Sequence, residues 1–282
     1  MKRTPAGRSQ PAPRGIRVAV FISDIHAGST VAVMPPKVTL AEGTEVRQNK
    51  LQAWFWERWL DMQVWLDDEL GGAPFALILN GDLIEGDHHR TDQIVSRNIG
   101  DHLAIAEEVL APIASRAAKV FITRGTECHV GDAEAALAHK FGAEKDPETG
   151  RQVFDRLTLD LCGVRTVARH HVTTSSRPWL ESNGLGIELA AEQLNAARNG
   201  EPIPRILAVA HRHTPGDVQT TEGLCFATPA WQGLTRHGHK VVGSARCKPG
   251  AYLLDWRSVP DGQMPIVRRR IYEAPKAAAI HV

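Results

Sequence analysis

The 282-residue sequence contains no run of 18 uninterrupted apolar residues, so it offers no obvious membrane-spanning helix. Cysteine is scarce: Cys128, Cys162, Cys225 and Cys247 are widely spaced and form no CxxC pair. That excludes a disulfide framework of the kind that staples small secreted folds, and reduced thiols are expected. An excess of either charge is also missing. Lys plus Arg total 33 against 32 for Asp plus Glu, a formal net charge of +1, so no global field marks nucleic acid or a membrane as the partner. The basic N-terminus MKRTPAGRSQPAPRG has no apolar segment behind it. Residues 1–15 therefore read as a disordered basic leader, and a cytoplasmic location is expected. With no internal repeat and no convincing linker, residues 16–282 read as one domain, and 43% hydrophobic content is ample for its core.

Five short apolar runs read as buried strands: IRVAVFI (16–22), FALILN (75–80), KVFIT (119–123), VRTVAR (164–169) and RILAVA (205–210). Between them lie helical patterns. Leu51, Trp54, Phe55, Trp59 and Met62 share helical spacing within 48–70, and Leu103, Ile105, Val109 and Ile113 do so within 100–118. Strand and helix alternate, which predicts an α/β layered fold. The Trp-rich helix is expected to pack on a sheet rather than to stack on bases. The stretch 29–48, with two prolines and little periodicity, reads as a long surface excursion, and 144–152 as a turn-rich connection. Late in the chain, LCFATPAWQG (224–233) and AYLLDW (251–256) read as closing strands of a second sheet, and IVRRRIYEA (266–274) as an edge strand with its arginines outward.

Each of the five strands runs into ionisable residues at the same end. SDIH supplies Asp24 and His26, GDLIE supplies Asp82 and Glu85, and RGTECH follows the third. His170 and His171 follow the fourth, His211 and His213 the fifth. Ligands of open α/β sheets bind at the carboxyl ends of strands, so these groups are expected to converge despite their separation in sequence. Imidazoles and carboxylates without thiolate suit manganese, iron or zinc. They are too many for one tetrahedral ion. Two ions about 3.5 to 4 Å apart with a bridging Asp would use them, and such a pair suits in-line phosphoester hydrolysis.

The blocks SDIH, GDLIE, RGTECH, ARHH and AHRH, over roughly residues 17–216, resemble in order those of the calcineurin-like metallophosphoesterase superfamily. The Pro-containing loop, GDLIEGDHH and GTECHVG are similar to versions carried by bacteriophages and prophages. The resemblance implies a four-layer α/β/β/α sandwich and a metal-dependent phosphoric ester hydrolase acting on a phosphomonoester or phosphodiester. It implies two divalent ions, manganese first, with iron, zinc or nickel as alternatives. By position, Asp24, His26 and His213 would hold one ion, Asp82 would bridge, and His170 with His211 would hold the other; His171 is the alternative to His170.

The third block departs from the pattern: Thr126 stands where the family has its ligand Asn, and Glu127 where it has a catalytic His. His129 is expected to take the catalytic role, with Thr126 or Glu127 completing the second ion's shell. The rival reading has His129 packing at a helix start and Glu127 binding an ion. Glu85 is expected to orient neighbours. His88 and His89 border the site or begin a solvated helix, while His102, His139, His237, His239 and His281 are expected on the surface. A nucleic-acid-processing nuclease of the same fold is an alternative, for which Arg177, Arg236, Arg246, Lys248 and VRRR (267–270) would supply basic residues; a solvated face is the simpler account of them. A binding scaffold with an impaired metal site, and a single-metal oxygenase using two His and one carboxylate, are the readings from other classes.

Overall fold

The computed structural model describes residues 15–88, 91–172, 181–236 and 247–274. The leader, up to residue 14, lies outside them, as do His89, Arg177, His237, His239, Arg246 and His281.

Two sheets and their helices form a mixed α/β fold. The first sheet has the order β13-β12-β1-β4-β5-β6: β1 (Val18–Ile22), β4 (Ala76–Asn80), β5 (Lys119–Thr123) and β6 (Val153–Phe154) run parallel, and β12 (Gly250–Asp255) and β13 (Ile266–Ile271) join antiparallel beside β1. The second sheet has the order β10-β11-β9-β8-β7. Its centre is parallel, made of β8 (Val164–Ala168), β9 (Ile206–Val209) and β11 (Leu224–Ala227). The antiparallel edges are β7 (Leu157–Leu161) and β10 (Gly216–Gln219). The five apolar runs expected as strands are thus β1, β4, β5, β8 and β9.

Three apolar cores hold these elements. Phe21, Ile78, Val164, Ile206, Phe226 and Tyr252 join the two sheets face to face, with Phe21 and Phe226 edge to face at a centroid separation of 5.1 Å. On the other side of the first sheet lie α1 (Lys50–Leu70), α2 (Ile99–Ala114) and α4 (Ala133–Lys140). Phe55, Trp59, Met62 and Leu66 of α1 are buried at helical spacing, so its aromatic residues serve the core as expected. Asn49 caps that helix: its side chain accepts from the Leu51 and Gln52 backbone N–H groups, and Gln52 answers the Asn49 N–H. The second sheet is covered by α5 (Glu181–Asn199) through Leu185 and Leu189.

Three expectations are corrected. The stretch 29–48 is only partly a surface excursion: Ala32, Val33 and Met34 are buried, and β2 (Lys37–Thr39) pairs with β3 (Glu45–Arg47). AYLLDW forms β12 of the first sheet, not a strand of the second, because its all-buried residues extend the hydrogen-bonded row of β1. IVRRRIYEA then follows as β13 at the outer edge of that same sheet. His102 is fully buried. Its Nδ1 accepts from the Gly86 N–H at 3.1 Å and its Nε2 donates to the Ser96 carbonyl at 2.8 Å, so both ring nitrogens are satisfied without water.

Candidate metal centre

The parallel strands of both sheets end at one place, and the loops leaving them are stitched together by backbone. The Asp24 N–H donates to the Gly81 carbonyl and His26 N–H to that of Asp82, while Trp231 N–H, beyond β11, donates to the Asp24 carbonyl. The Ala210 N–H reaches the His170 carbonyl. The backbone at Asp24, His26, Asp82, His211 and His213 has φ between 46° and 68°. A left-handed residue with a side chain costs on the order of 1–2 kcal/mol, and such strain persists where surroundings over-determine it. Here it turns each donor back toward its neighbours instead of along its strand.

Glycine makes the close approach of these loops feasible. A Cβ on Gly125 would stand 2.3 Å from the Asp82 nitrogen and 2.4 Å from Asp82 Oδ1. One on Gly81, whose φ is 79°, would stand 2.5 Å from His170 Nδ1.

Two groups of three donors result: Asp24, His26 and His213, and Asp82, His170 and His211, the donor atoms of each group lying within 4.8 Å of one another. His26 Nε2 is 3.1 Å from His213 Nε2, and Asp24 Oδ1 is 3.5 Å from the latter. His170 Nε2 is 3.0 Å from Asp82 Oδ2, while its Nδ1 donates to the Asn80 carbonyl at 2.7 Å. Asp82 Oδ2 also lies 3.8 Å from His26 Nε2, so this carboxylate stands between the two groups. Thr126 is a third neighbour: its N–H donates to Asp82 Oδ1 at 2.6 Å, and its hydroxyl is 3.1 Å from both Asp82 Oδ2 and His211 Nδ1.

Glu127 and His171 do not join these clusters. Both are exposed and line an open recess of about 540 Å³ with Arg124, Arg151, Asp132 and Asp155. His129, in the single turn α3 (Glu127–Val130), has a donor atom within 4.8 Å of those of His26 and Asp82. Its Nδ1 donates to the Glu85 carbonyl at 2.8 Å, which leaves Nε2 free to face a reactant.

Burial and mutual charge set the protonation pattern. Burial would lower the His170 imidazole, but Asp82, helped by Asp24, pushes it up to about 10. Asp82 is held well below the usual carboxylate range by His170 and His26 in spite of burial. Burial raises the Asp24 carboxyl, with Asp82 adding repulsion. Burial, then a histidine neighbour, pushes His129 and His211 down to about 4 and His213 to about 3. Perturbation this dense is characteristic of functional sites.

Three supporting residues complete the surroundings. Glu85 is buried, lies 2.9 Å from His26 Nδ1 and 3.1 Å from His88 Nε2, and accepts from Gln232, so it orients His26 as expected. His88 stands in no helix and packs edge-on against His129 at 4.1 Å. Glu134 escaped sequence reasoning altogether. It is fully buried in α4 and accepts from the Gly125 N–H at 2.9 Å and the Leu83 N–H at 3.3 Å, tying the loops after β4 and β5 together. Burial pushes its carboxyl up to about 7. The only hint was an acidic residue between the small apolar residues of a short helix.

No protein-family model matches the sequence, and no curated protein matches it. Among solved structures it is similar to an archaeal phosphodiesterase, with 10% identity, a TM-score of 0.45 and coverage of 90% of this chain and 99% of that one. It is similar to wild-type Vps29 of Entamoeba histolytica complexed with zinc, with 13% identity, a TM-score of 0.43 and coverage of 91% and 98%. A predicted phosphoesterase from Streptococcus pneumoniae TIGR4 has 12% identity, a TM-score of 0.33 and coverage of 90% and 98%. All three TM-scores are below 0.5, and nothing about the site of this chain follows from them.

Proposed function

We propose that this protein is a metal-dependent phosphoric ester hydrolase with two divalent ions, resembling in its motifs the calcineurin-like metallophosphoesterases. The observation that carries this reading is the pair of donor triads meeting at Asp82. The donor set also fits cations on a separate count: Asp24 Oδ1 is buried with no hydrogen-bond partner among the described residues, yet it faces three imidazoles within 3.9 Å. A buried unpaired carboxylate oxygen is costly, on the order of 1–3 kcal/mol or more, and a cation would satisfy it.

Asp24, His26 and His213 would hold one ion and His170 with His211 the other, with Asp82 shared and Thr126 contributing its hydroxyl to the second. When bound, such ions make hydroxide available from water near neutral pH and neutralise phosphoryl oxygens. Glu85 fixes the His26 ring. The Glu85 carbonyl fixes the His129 tautomer with its proton on Nδ1, and Nε2 faces the reacting phosphoryl group. His129 is uncharged at neutral pH in the free protein, and the negative charge of a bound phosphoester favours its protonated form, from which it can protonate the leaving oxygen.

Among the described residues, the late basic residues lend the nuclease alternative no support. Arg236 pairs with Asp92, Lys248 with Glu273, Arg268 with Glu69, Arg269 with Asp217 and Arg270 with Asp61. A row of cations each engaged with its own carboxylate offers little to a phosphate backbone.

The test is bound metal by elemental analysis of protein purified without chelator, together with hydrolysis of bis-p-nitrophenyl phosphate in added Mn²⁺. Near two metals per chain and turnover are expected, with His129→Ala lowering kcat roughly 10²- to 10⁴-fold while metal content is kept. Absence of both metal and turnover would mean that the changed third block leaves only a scaffold. A second expectation concerns pH. In chelator, His170 has a native pKa of about 10 against an unfolded value near 6.5. The folded state therefore binds the extra proton, and this stabilisation, complete below the unfolded value, is lost as pH rises through about 10. The Tm of the metal-free protein should fall between pH 7 and 10, and Tm gained on adding metal should grow over the same range, since metal must displace that proton. A flat profile in chelator would remove the His170–Asp82 ion pair from the account.

A further inference from the structure

A second donor cluster adjoins the site. His88, Cys128 and His129 each present one ligand atom, and the three atoms lie within 4.8 Å of one another. His88 comes from the loop after β4, and Cys128 and His129 come from α3 after β5. The two imidazoles are held edge to face at 4.1 Å. Both are anchored from behind by Glu85, whose carboxylate lies 3.1 Å from His88 Nε2 and whose carbonyl accepts from His129 Nδ1. Cys128 is exposed and in no disulfide, so its side chain is free to rotate onto a cation.

One thiolate and two imidazoles form a soft donor set, unlike the carboxylate and imidazole triads beside it, and it selects zinc-class ions over manganese or magnesium. A tetrahedral zinc with Zn–N near 2.05 Å and Zn–S near 2.3 Å holds such donors about 3.5 Å apart, within reach of a side-chain rotation at exposed Cys128. The thiol gives up its proton to solvent as the S–Zn bond forms.

We propose that His88, Cys128 and His129 form an inhibitory site for a thiophilic divalent cation of the zinc class. The inhibition rests on the hydrolase reading, because the ion takes the Nε2 lone pair with which His129 would serve the reacting phosphoryl group. The site itself does not rest on it. Zinc bound here leaves the two triads filled and removes the proton carrier.

The experiment uses the full chain under a non-chelating phosphine reductant. Cd²⁺ is titrated while the ultraviolet thiolate-to-metal band is followed, and Zn²⁺ is titrated into the Mn²⁺-loaded protein hydrolysing bis-p-nitrophenyl phosphate. Wild type should show the band and lose activity. Cys128→Ser, with its activity in Mn²⁺ unchanged, should lack the band and need at least tenfold more Zn²⁺ for half-inhibition. His88→Ala should weaken Cd²⁺ binding at least tenfold, which a lone thiol would not do. A band that survives Cys128→Ser, or one of equal affinity in His88→Ala, overturns the site. Equal Zn²⁺ inhibition of wild type and Cys128→Ser overturns its inhibitory role. A band that behaves as expected in a protein that hydrolyses nothing with Mn²⁺ overturns the hydrolase reading and the inhibition together, and leaves the cation site standing.

Discussion

Asp82→Asn should reduce bound metal to one ion per chain or fewer and lower phosphodiester hydrolysis by more than about 10²-fold, the one substitution here expected to remove metal and activity together. Outer-shell partners of metal ligands already cost about 10- to 100-fold when removed, and Asp82 belongs to one donor group while lying 3.8 Å from His26 of the other. The substitution keeps the shape and one oxygen but removes the charge. It also deprives His170 of the carboxylate that does most to push its imidazole up to about 10, so that imidazole gives up its proton at lower pH. The alkaline decline of Tm in chelator should therefore flatten in this variant. Elemental analysis, turnover and a melting series across pH read the three consequences separately. Full metal content with full activity would remove Asp82 from the centre.

Gly125→Ala should be nearly as damaging, although it changes no ligand. The added methyl would stand 2.3 Å from the Asp82 backbone nitrogen and 2.4 Å from its Oδ1, contacts that real Cβ atoms essentially never make. The opposing wall cannot yield easily: Glu134 holds Gly125 and Leu83 from behind, and Thr126 holds Asp82 from in front. Overpacking of this kind costs about 1–3 kcal/mol of stability. A displacement near 1 Å in a catalytic constellation can cost about 10²-fold in rate. Chemical denaturation and kcat at saturating Mn²⁺ measure the two effects. Wild-type turnover in Gly125→Ala would show that the loops after β4 and β5 move apart without consequence.

The contrast between these residues marks how far sequence reasoning reaches. Asp82 was legible because a carboxylate just after an apolar run has a local signature, and so were Asp24, His26, His170, His211 and His213. Gly125 was legible only as part of a motif, since the need for a missing Cβ comes from Asp82, which lies 43 positions earlier. His102 carried no signal, and Glu134 only its place between small apolar residues of a short helix. Each is a polar side chain whose partners are backbone groups of neighbouring loops, and a sequence shows a polar residue without showing that it is buried or what satisfies it.

The sequence by itself determined the strands β1, β4, β5, β8 and β9 and the helices α1 and α2, because apolar periodicity is a local property of the chain, and it determined which donor types stand at the strand ends. Tertiary structure alone decided that β12 and β13 extend the first sheet rather than the second, that Thr126 and not Glu127 turns toward Asp82, and that His88 meets Cys128 and His129. Strand partners and side-chain neighbours are selected by burial and hydrogen bonding between segments far apart in the chain. Positive-φ backbone at five donors accompanies their convergence, a strained conformation of the kind that persists where the surrounding structure over-determines it.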